Sequence, residues 1–159
     1  RPALGFDNPG SGGPVPGKCP TKPSLALERY GVVRAHHDVL GDYELAYEGE
    51  ATPLFTENET NSARLYNHVK GTAFAKDAFH ERVIHGRTDA VNPANFGTKF
   101  APHYVLEIGP GESQIVRLRL RAATKPNDAF TDFDDIFAQR IAEADEFYPA
   151  IATAGWHKE

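Results

Sequence analysis

The histidines raise the first chemical question. His80-Glu81-Arg82-Val83-Ile84-His85 has the composition of a zinc-protease helix, but its two imidazoles stand five residues apart. At about 100° per residue they diverge by about 140° around a helix, against about 40° for the four-residue step that lets both rings reach one metal. A metalloprotease is therefore excluded as a reading of this stretch. His36 and His37 are adjacent; on a strand, neighbours point to opposite faces, so this pair does not chelate either. Cys19 is alone, which rules out an internal disulfide framework and a multi-cysteine zinc site. Ser11, Ser24, Ser62 and Ser113 lack the glycine-flanked context of a strained nucleophile. Gly10 to Gly17 is rich in glycine without the Lys-Ser or Lys-Thr that marks a phosphate loop. No metal, no cofactor and no catalytic residue are assigned.

Carboxylates and amides remain. Glu57 and Glu59, with Asp77 and Asp89 further on, are of the right type to act as the acid and base that cleave a glycosidic bond. That work depends on their separation in space, which sequence does not give. Around them lie Asn58, Asn61, Asn67, Asn92 and Asn95. Each side-chain amide both donates and accepts, which suits a hydroxyl-rich ligand or the clamping of backbone at a domain junction. Glu57, Asn58, Glu59, Asn61, Lys76, Asp77, Asn92 and Lys99 are the candidate residues for contact with a ligand or a neighbouring domain.

All of these but Glu57, which immediately precedes it, fall in one span, Asn58 to Pro102, that keeps neither the strand nor the helix period for long. Connections in compact domains usually run ~4–6 residues, and ones beyond ~12–15 either bind something or are disordered. Leu65, Tyr66, Val69, Phe74, Phe79, Val83, Ile84, Val91, Phe96 and Phe100 give this span too much apolar surface to stay solvated. It is expected to be an ordered loop assembly packed by its own aromatics. The alternative is an elaborate turn that merely closes a sheet.

The flanking elements must position it. Gly31 to His37 and Tyr43 to Glu48 read as two strands, the second with Tyr43, Leu45 and Tyr47 on one face and Glu44 and Glu48 toward water. Thr52 to Thr56 is a third, its Pro53 suited to an edge or an early position. His103 to Ile108 and Ser113 to Arg121 flank Gly109-Pro110-Gly111-Glu112 and predict a hairpin. In it Val116, Leu118 and Leu120 point one way, and Arg117, Arg119 and Arg121 form a solvated row on the other. Thr131 to Ile151 predicts a helix: Phe133, Ile136, Phe137, Ile141, Ala144, Phe147, Tyr148 and Ile151 recur at three- and four-residue steps, and Thr131 with Asp134 resembles a capping box. Its aromatic stripe must lie on something large, either this sheet or a further domain. Residues 1–24 are expected to be a flexible proline- and glycine-rich arm or linker, and 152–159 a tail.

Composition sets the bounds. The chain has 159 residues, enough for one domain, with 12 prolines, 14 glycines and 40% apolar residues, less than the ordinary ~45–50%. It has no methionine and opens on Arg1, which suggests a processed or longer polypeptide. Twenty-two acidic against 17 basic residues give a net charge of −5 without a basic run, which argues against nucleic acid and anionic membranes as partners. No apolar stretch approaches the ~18–20 residues of a membrane span. Asn58-Glu59-Thr60 has the form of a glycosylation sequon, meaningful only in a secretory pathway. The cytoplasm is expected rather than secretion.

Several motifs taken in order resemble a known family. Leu54-Phe55-Thr56-Glu57-Asn58-Glu59-Thr60-Asn61, Ala75-Lys76-Asp77-Ala78-Phe79-His80, Asp89-Ala90-Val91-Asn92-Pro93, Gly97-Thr98-Lys99 with His103-Tyr104, Val116-Arg117-Leu118-Arg119-Leu120, and Ala142-Glu143-Ala144-Asp145-Glu146-Phe147-Tyr148 resemble bacterial glucosidase-like proteins. These are related to the mannosyl-oligosaccharide glucosidases. The resemblance, over Val32 to Ile151, implies a mainly β fold: part of an antiparallel β-sandwich with the long ordered insertion and one C-terminal α-helix leading into an (α/α)₆ barrel. In such a protein the catalytic carboxylates belong to the barrel, so none is carried onto this chain. The implied role is a non-catalytic sandwich segment that packs on the barrel of the same polypeptide and shapes access for an oligosaccharide. The front half of the sandwich has no counterpart here. A free-standing carbohydrate-binding or protein-interaction module is the alternative, with Trp156, Tyr66, Phe79 or Phe96 as stacking platforms. A small enzyme using the insertion's own acids is a third.

Overall fold

The computed structural model describes residues 22–67, 71–124 and 128–151; the arm foreseen over residues 1–24 lies almost wholly outside them, and the tail over 152–159 entirely so. The chain is mainly β and divides into two compact units, one ending at Thr124 and one carrying the C-terminal helix. The first contains β1 (Ser24–Arg29), β2 (Val32–His37), β3 (Gly41–Tyr47), β4 (Thr52–Thr56), α1 (Ser62–Tyr66), α2 (Ala78–His85), a 3₁₀ turn (Thr88–Ala90), β5 (Phe96–Gly97), β6 (Lys99–His103) and β7 (Leu118–Ala122). Five strands pair in the order β5-β1-β2-β3-β7, and β4 pairs with β6 in a second sheet; every pairing is antiparallel.

Period two decides which face is buried. Register places Leu27 opposite Val33 and Val33 opposite Leu45, so these side chains share a face with Leu25 and Tyr47. Against that face the two-stranded sheet lays Phe55 and Phe100, joined by Ala51 and Tyr104, to form a partial sandwich core. The Phe55 and Phe100 rings tilt 4.9 Å apart, and Phe100 meets Tyr47 at 5.8 Å. Full burial of Phe55, at 0% exposure, contributes about 1.5–3 kcal/mol. Pro53 stands opposite Pro102; neither has an N–H, so the ladder tolerates them only as a non-hydrogen-bonded pair.

Leu54, Phe55 and Thr56 are buried in succession, which means β4 is covered on both faces. Phe55 faces the sandwich core, and Leu54 faces a second cluster with Ala78 and Val91, flanked by Phe79 and Ala90. The insertion thus rests on the back of β4 through Ala78, Phe79, Ala90 and Val91, whereas Leu65, Tyr66, Val83, Ile84 and Phe96, which were expected to pack it, are exposed. Gly97 lets it close: a Cβ there would stand 2.4 Å from the Thr56 carbonyl oxygen.

Three expectations need correction. First, Ser24–Arg29 is a strand, within and just after the segment read as irregular; Leu25 and Leu27 alternate inward and pair with Ala35 and Val33. Second, the hairpin about Gly109-Pro110-Gly111-Glu112 does not form. The turn is present, with Glu112 N–H donating to the Gly109 carbonyl at 3.1 Å, but residues 104–108 and 113–117 are not strands. Their neighbours are paired elsewhere, β6 with β4 and β7 with β3, so this turn joins two sheets instead of folding one ladder. Third, the faces of β7 are reversed. Register sets Arg121 opposite Glu44, and the two form an ion pair with side chains 8% and 6% exposed. Arg117 pairs with Glu48 at 3.8 Å. Leu118 and Leu120 then fall on the Val33–Tyr47 face, but at the edge strand, beyond the narrow second sheet, and stay 48% and 65% exposed. An opposite-charge cross-strand pair fixed the face. Glu44 is accordingly buried and not turned to water.

The second unit holds α3 (Phe133–Ile151), which includes Pro149. It starts two residues later than its pattern implies: Asp128 accepts from the Phe130 N–H at 3.0 Å, and Phe133 N–H donates to the Phe130 carbonyl at 3.1 Å. Asp134 and Asp135 lie in the first turn, favourably placed for the helix dipole. Phe133 and Phe137 stack at 6.1 Å, while Phe137, Ile141, Phe147, Tyr148 and Ile151 are exposed.

Candidate functional site

Backbone hydrogen bonds fix the insertion before any side chain acts. Glu57 N–H donates to the Phe74 carbonyl at 2.8 Å, Lys76 N–H to Glu59 at 3.0 Å, Asn92 N–H to Phe55 at 2.9 Å and Thr98 N–H to Thr56 at 3.1 Å. Both flanks of the assembly are thereby stitched to β4 and its continuation. Phe74 takes a left-handed φ of 50°, unusual for a residue with a Cβ and worth about 1–2 kcal/mol of strain. The bond to Glu57 and the surrounding packing hold it there.

The eight candidate residues do not converge on one place. At the start and end of the assembly, the Thr98 hydroxyl donates to Glu57 Oε2 at 2.7 Å and accepts from the Asn58 N–H at 2.7 Å. Asn92 closes the 92–96 turn, donating to the Phe96 carbonyl at 2.7 Å and accepting from the Ala94 N–H at 3.0 Å. Lys99 lies 5.4 Å from the Phe79 ring centre, a cation–π contact. Glu59 pairs with Lys22, and Lys76 meets Glu59 through backbone alone. Only Asn61 and Asp77 come together at a cavity. Asn61 caps α1 by accepting from the Arg64 N–H at 3.1 Å, and its amide donates to Asp77 Oδ2 at 3.1 Å.

That cavity is a cleft of about 420 Å³ between α1 and α2. Its polar rim is Asn61, Arg64, Thr72, Asp77, Glu81 and Arg87. Phe74, Ala75, Ala78 and Ala90 provide its apolar part. Arg64, Thr72, Glu81 and Arg87 were not singled out by type and spacing, although one signal existed: Asp77 and Glu81 are four residues apart and so share one face of α2. Arg64 Nη1 bridges them, at 3.2 Å from Asp77 Oδ2 and 3.0 Å from Glu81 Oε1. Arg87 continues the chain to Glu81 Oε2 at 3.7 Å and Asp89 Oδ2 at 3.2 Å. The hydrogen bond from Arg87 holds the Asp89 carboxyl below the usual carboxylate range, and Asp89 in turn raises Arg87 further. The two guanidiniums thus lock the carboxylates in place.

This arrangement holds each carboxylate against a partner. The five acids from Glu57 to Asp89 each have a partner: Thr98, Lys22, Asn61 with Arg64, Arg64 with Arg87, and Arg87. Asp77 and Glu81 share one guanidinium instead of facing each other across a space for water and a sugar ring. At the other end of β2 and β3, His36 Nδ1 lies 2.8 Å from Asp42 Oδ1, and Asp38 lies 3.6 Å from Nε2. Among the described residues no group of three or more His, Cys, Asp or Glu is placed to hold a metal ion, and no helix is long and apolar enough to cross a membrane.

Among curated proteins, the chain is similar to "Uncharacterized protein YMR196W" of Saccharomyces cerevisiae, 43% identical over 60% of this chain and 10% of the yeast protein. The chain therefore spans about a tenth of the length of that relative. No family model and no solved structure matches.

Proposed function

We propose that this chain is the non-catalytic β-sandwich segment of a larger glucosidase-like glycoside hydrolase, packing on an (α/α)₆ barrel of the same polypeptide and shaping the path of an oligosaccharide. The observation that carries the reading is the state of the insertion's acids. Glu57, Asp77, Glu81 and Asp89 are each engaged by a cation, an amide or a hydroxyl of the same assembly, and Glu59 by Lys22 from the segment before β1, which suits a rigid surface and not an acid–base pair. The yeast relative, of which the chain matches a tenth, is consistent with a segment of a much longer protein. Within the reading, the two carboxylates and activated water of an inverting mechanism belong to the barrel. This chain holds its loops at a fixed height above the sandwich.

The test compares the longer polypeptide with this chain alone on α-linked glucosides. The chain alone is expected to show no turnover, and Glu57→Gln or Glu59→Gln in the longer polypeptide to leave kcat within about threefold, less than removal of a general acid or base costs. Turnover by the isolated chain that either substitution abolishes would make the insertion itself catalytic and end the proposal.

A further inference from the structure

The cleft between α1 and α2 has a charge balance that selects its ligand. Two guanidiniums, Arg64 and Arg87, are paired with the rim carboxylates Asp77 and Glu81 and, just outside the rim, with Asp89, so neither cation of the rim is left without a counter-charge. An anion entering it meets the carboxylates, and a cation meets the guanidiniums; neither gains without opposition. What the rim still offers is a mixture of donors and acceptors. Arg64 uses Nη1 for its two carboxylates, and its Nε and Nη2 have no partner among the described residues. Arg87 Nε is likewise unengaged among them, as are the Thr72 hydroxyl and Asp77 Oδ1. A hydroxyl group donates and accepts at once, so vicinal hydroxyls can bridge such neighbouring donors and acceptors.

Three further features suit a polyol. Phe74 and three alanines give the cleft an apolar side for the C–H face of a ring. The volume of about 420 Å³ lies in the ~300–1,000 Å³ range of small-molecule sites. The rim is preorganised: the ion pairs that fix Arg64, Asp77 and Glu81 exist before a ligand arrives, which reduces the ordering cost of binding. We infer that the cleft lined by Asn61, Arg64, Thr72, Asp77, Glu81 and Arg87 is a binding site for a neutral, hydroxyl-rich ligand: one sugar residue, or the end of an oligosaccharide. It rests on the proposed function only for the choice of a sugar as the polyol.

The experiment is an NMR titration of the chain with maltose, following backbone amides. Shifts centred on Asn61, Arg64, Thr72 and Asp77 are expected, with a Kd on the order of 1 mM. Arg64→Lys and Arg87→Lys keep the charge of the rim but lose the forked donors, and each is expected to weaken binding about tenfold. Dispersion of the variants' spectra reports that they remain folded, and Thr72→Val provides a third, milder removal of a rim group that ties nothing down. Arg140→Ala, in the second unit, should leave the Kd unchanged. The inference is overturned if the shifts do not saturate, if they centre on residues outside the cleft, or if all three rim variants bind as the parent does. Its failure is separable from that of the proposed function. A chain that binds maltose, in a longer polypeptide that hydrolyses no α-glucoside, keeps the cleft and loses the enzyme; hydrolysis without binding here does the reverse.

Discussion

Replacing Gly97 by Ala tests how tightly the insertion is closed against β4. The added Cβ would stand 2.4 Å from the Thr56 carbonyl oxygen, 3.0 Å from its carbon and 3.3 Å from the Thr56 nitrogen. Ordinary contact begins at 3.4 Å, so β5 must retreat by about 1 Å (3.4 − 2.4). The obstacle is backbone and cannot rotate aside. Retreat stretches the Thr98-to-Thr56 hydrogen bond, now 3.1 Å, and disturbs the pairing of Gly97 with Leu25. Losing that bond costs about 0.5–1.5 kcal/mol, and overpacking about 1–3 kcal/mol more. The expected loss is about 2–4 kcal/mol in urea denaturation followed by far-UV circular dichroism, with the m-value unchanged. Gly111→Ala is the comparison. Gly111 has a φ of 76° and nothing within 4 Å of a built Cβ, so it should lose only the cost of backbone conformation, about 1–2 kcal/mol. A Gly97→Ala protein within about 0.5 kcal/mol of the parent would refute the close approach.

Other substitutions probe separate links. The Thr56 hydroxyl is buried and finds no hydrogen-bond partner among the described residues, so Thr56→Val should stabilise by about 1 kcal/mol; a loss of that size would mean the hydroxyl is engaged. Leu120→Gln should change stability by less than about 0.5 kcal/mol because the side chain is exposed, whereas Phe55→Ala should cost about 3–5 kcal/mol. Similar costs at both positions would return β7 to the orientation its alternation implies. Asp42, hydrogen-bonded to His36, raises that imidazole above its ordinary value of about 6.5. A raised folded value means the contact stabilises fully below the unfolded pKa and is lost as pH rises through the folded one. In an NMR titration the His36 midpoint should fall in Asp42→Asn, and an unmoved midpoint would deny the contact.

Elements whose period was decisive were legible in the sequence: β2, β3, β4 and α3 lie close to where alternation or three- and four-residue recurrence puts them. β1 was not. Its Leu25 and Leu27 alternate, but Ala26, Glu28 and Arg29 are poor strand formers, so only pairing with β2 and β5 makes it a strand. In β7 the alternation was right and the face wrong, because the outcome depended on a partner, Glu44, seventy-seven positions away. The 109–112 turn is local and was visible; which sheet each neighbouring strand joins is a long-range matter and was not. The asparagines and acids were legible as hydrogen-bonding groups, but Asn92 serves a neighbouring turn, and Glu57 with Asn58 meets at the single hydroxyl of Thr98. The cleft assembles from α1, residues 72–75, α2 and the Arg87–Ala90 stretch, and its arginines acquire meaning only when Arg64 reaches the Asp77 and Glu81 face of α2.

The central claim is that the insertion is a fixed surface built on β4, and native-state hydrogen exchange measures this most directly. The amides of Glu57, Lys76, Asn92 and Thr98, each donating to backbone within the assembly, are predicted to be protected to the same degree as those of β2 and β3 and to open only with the whole unit. Exchange of these four at the rate of an unstructured chain, while β2 and β3 stay protected, would contradict the account.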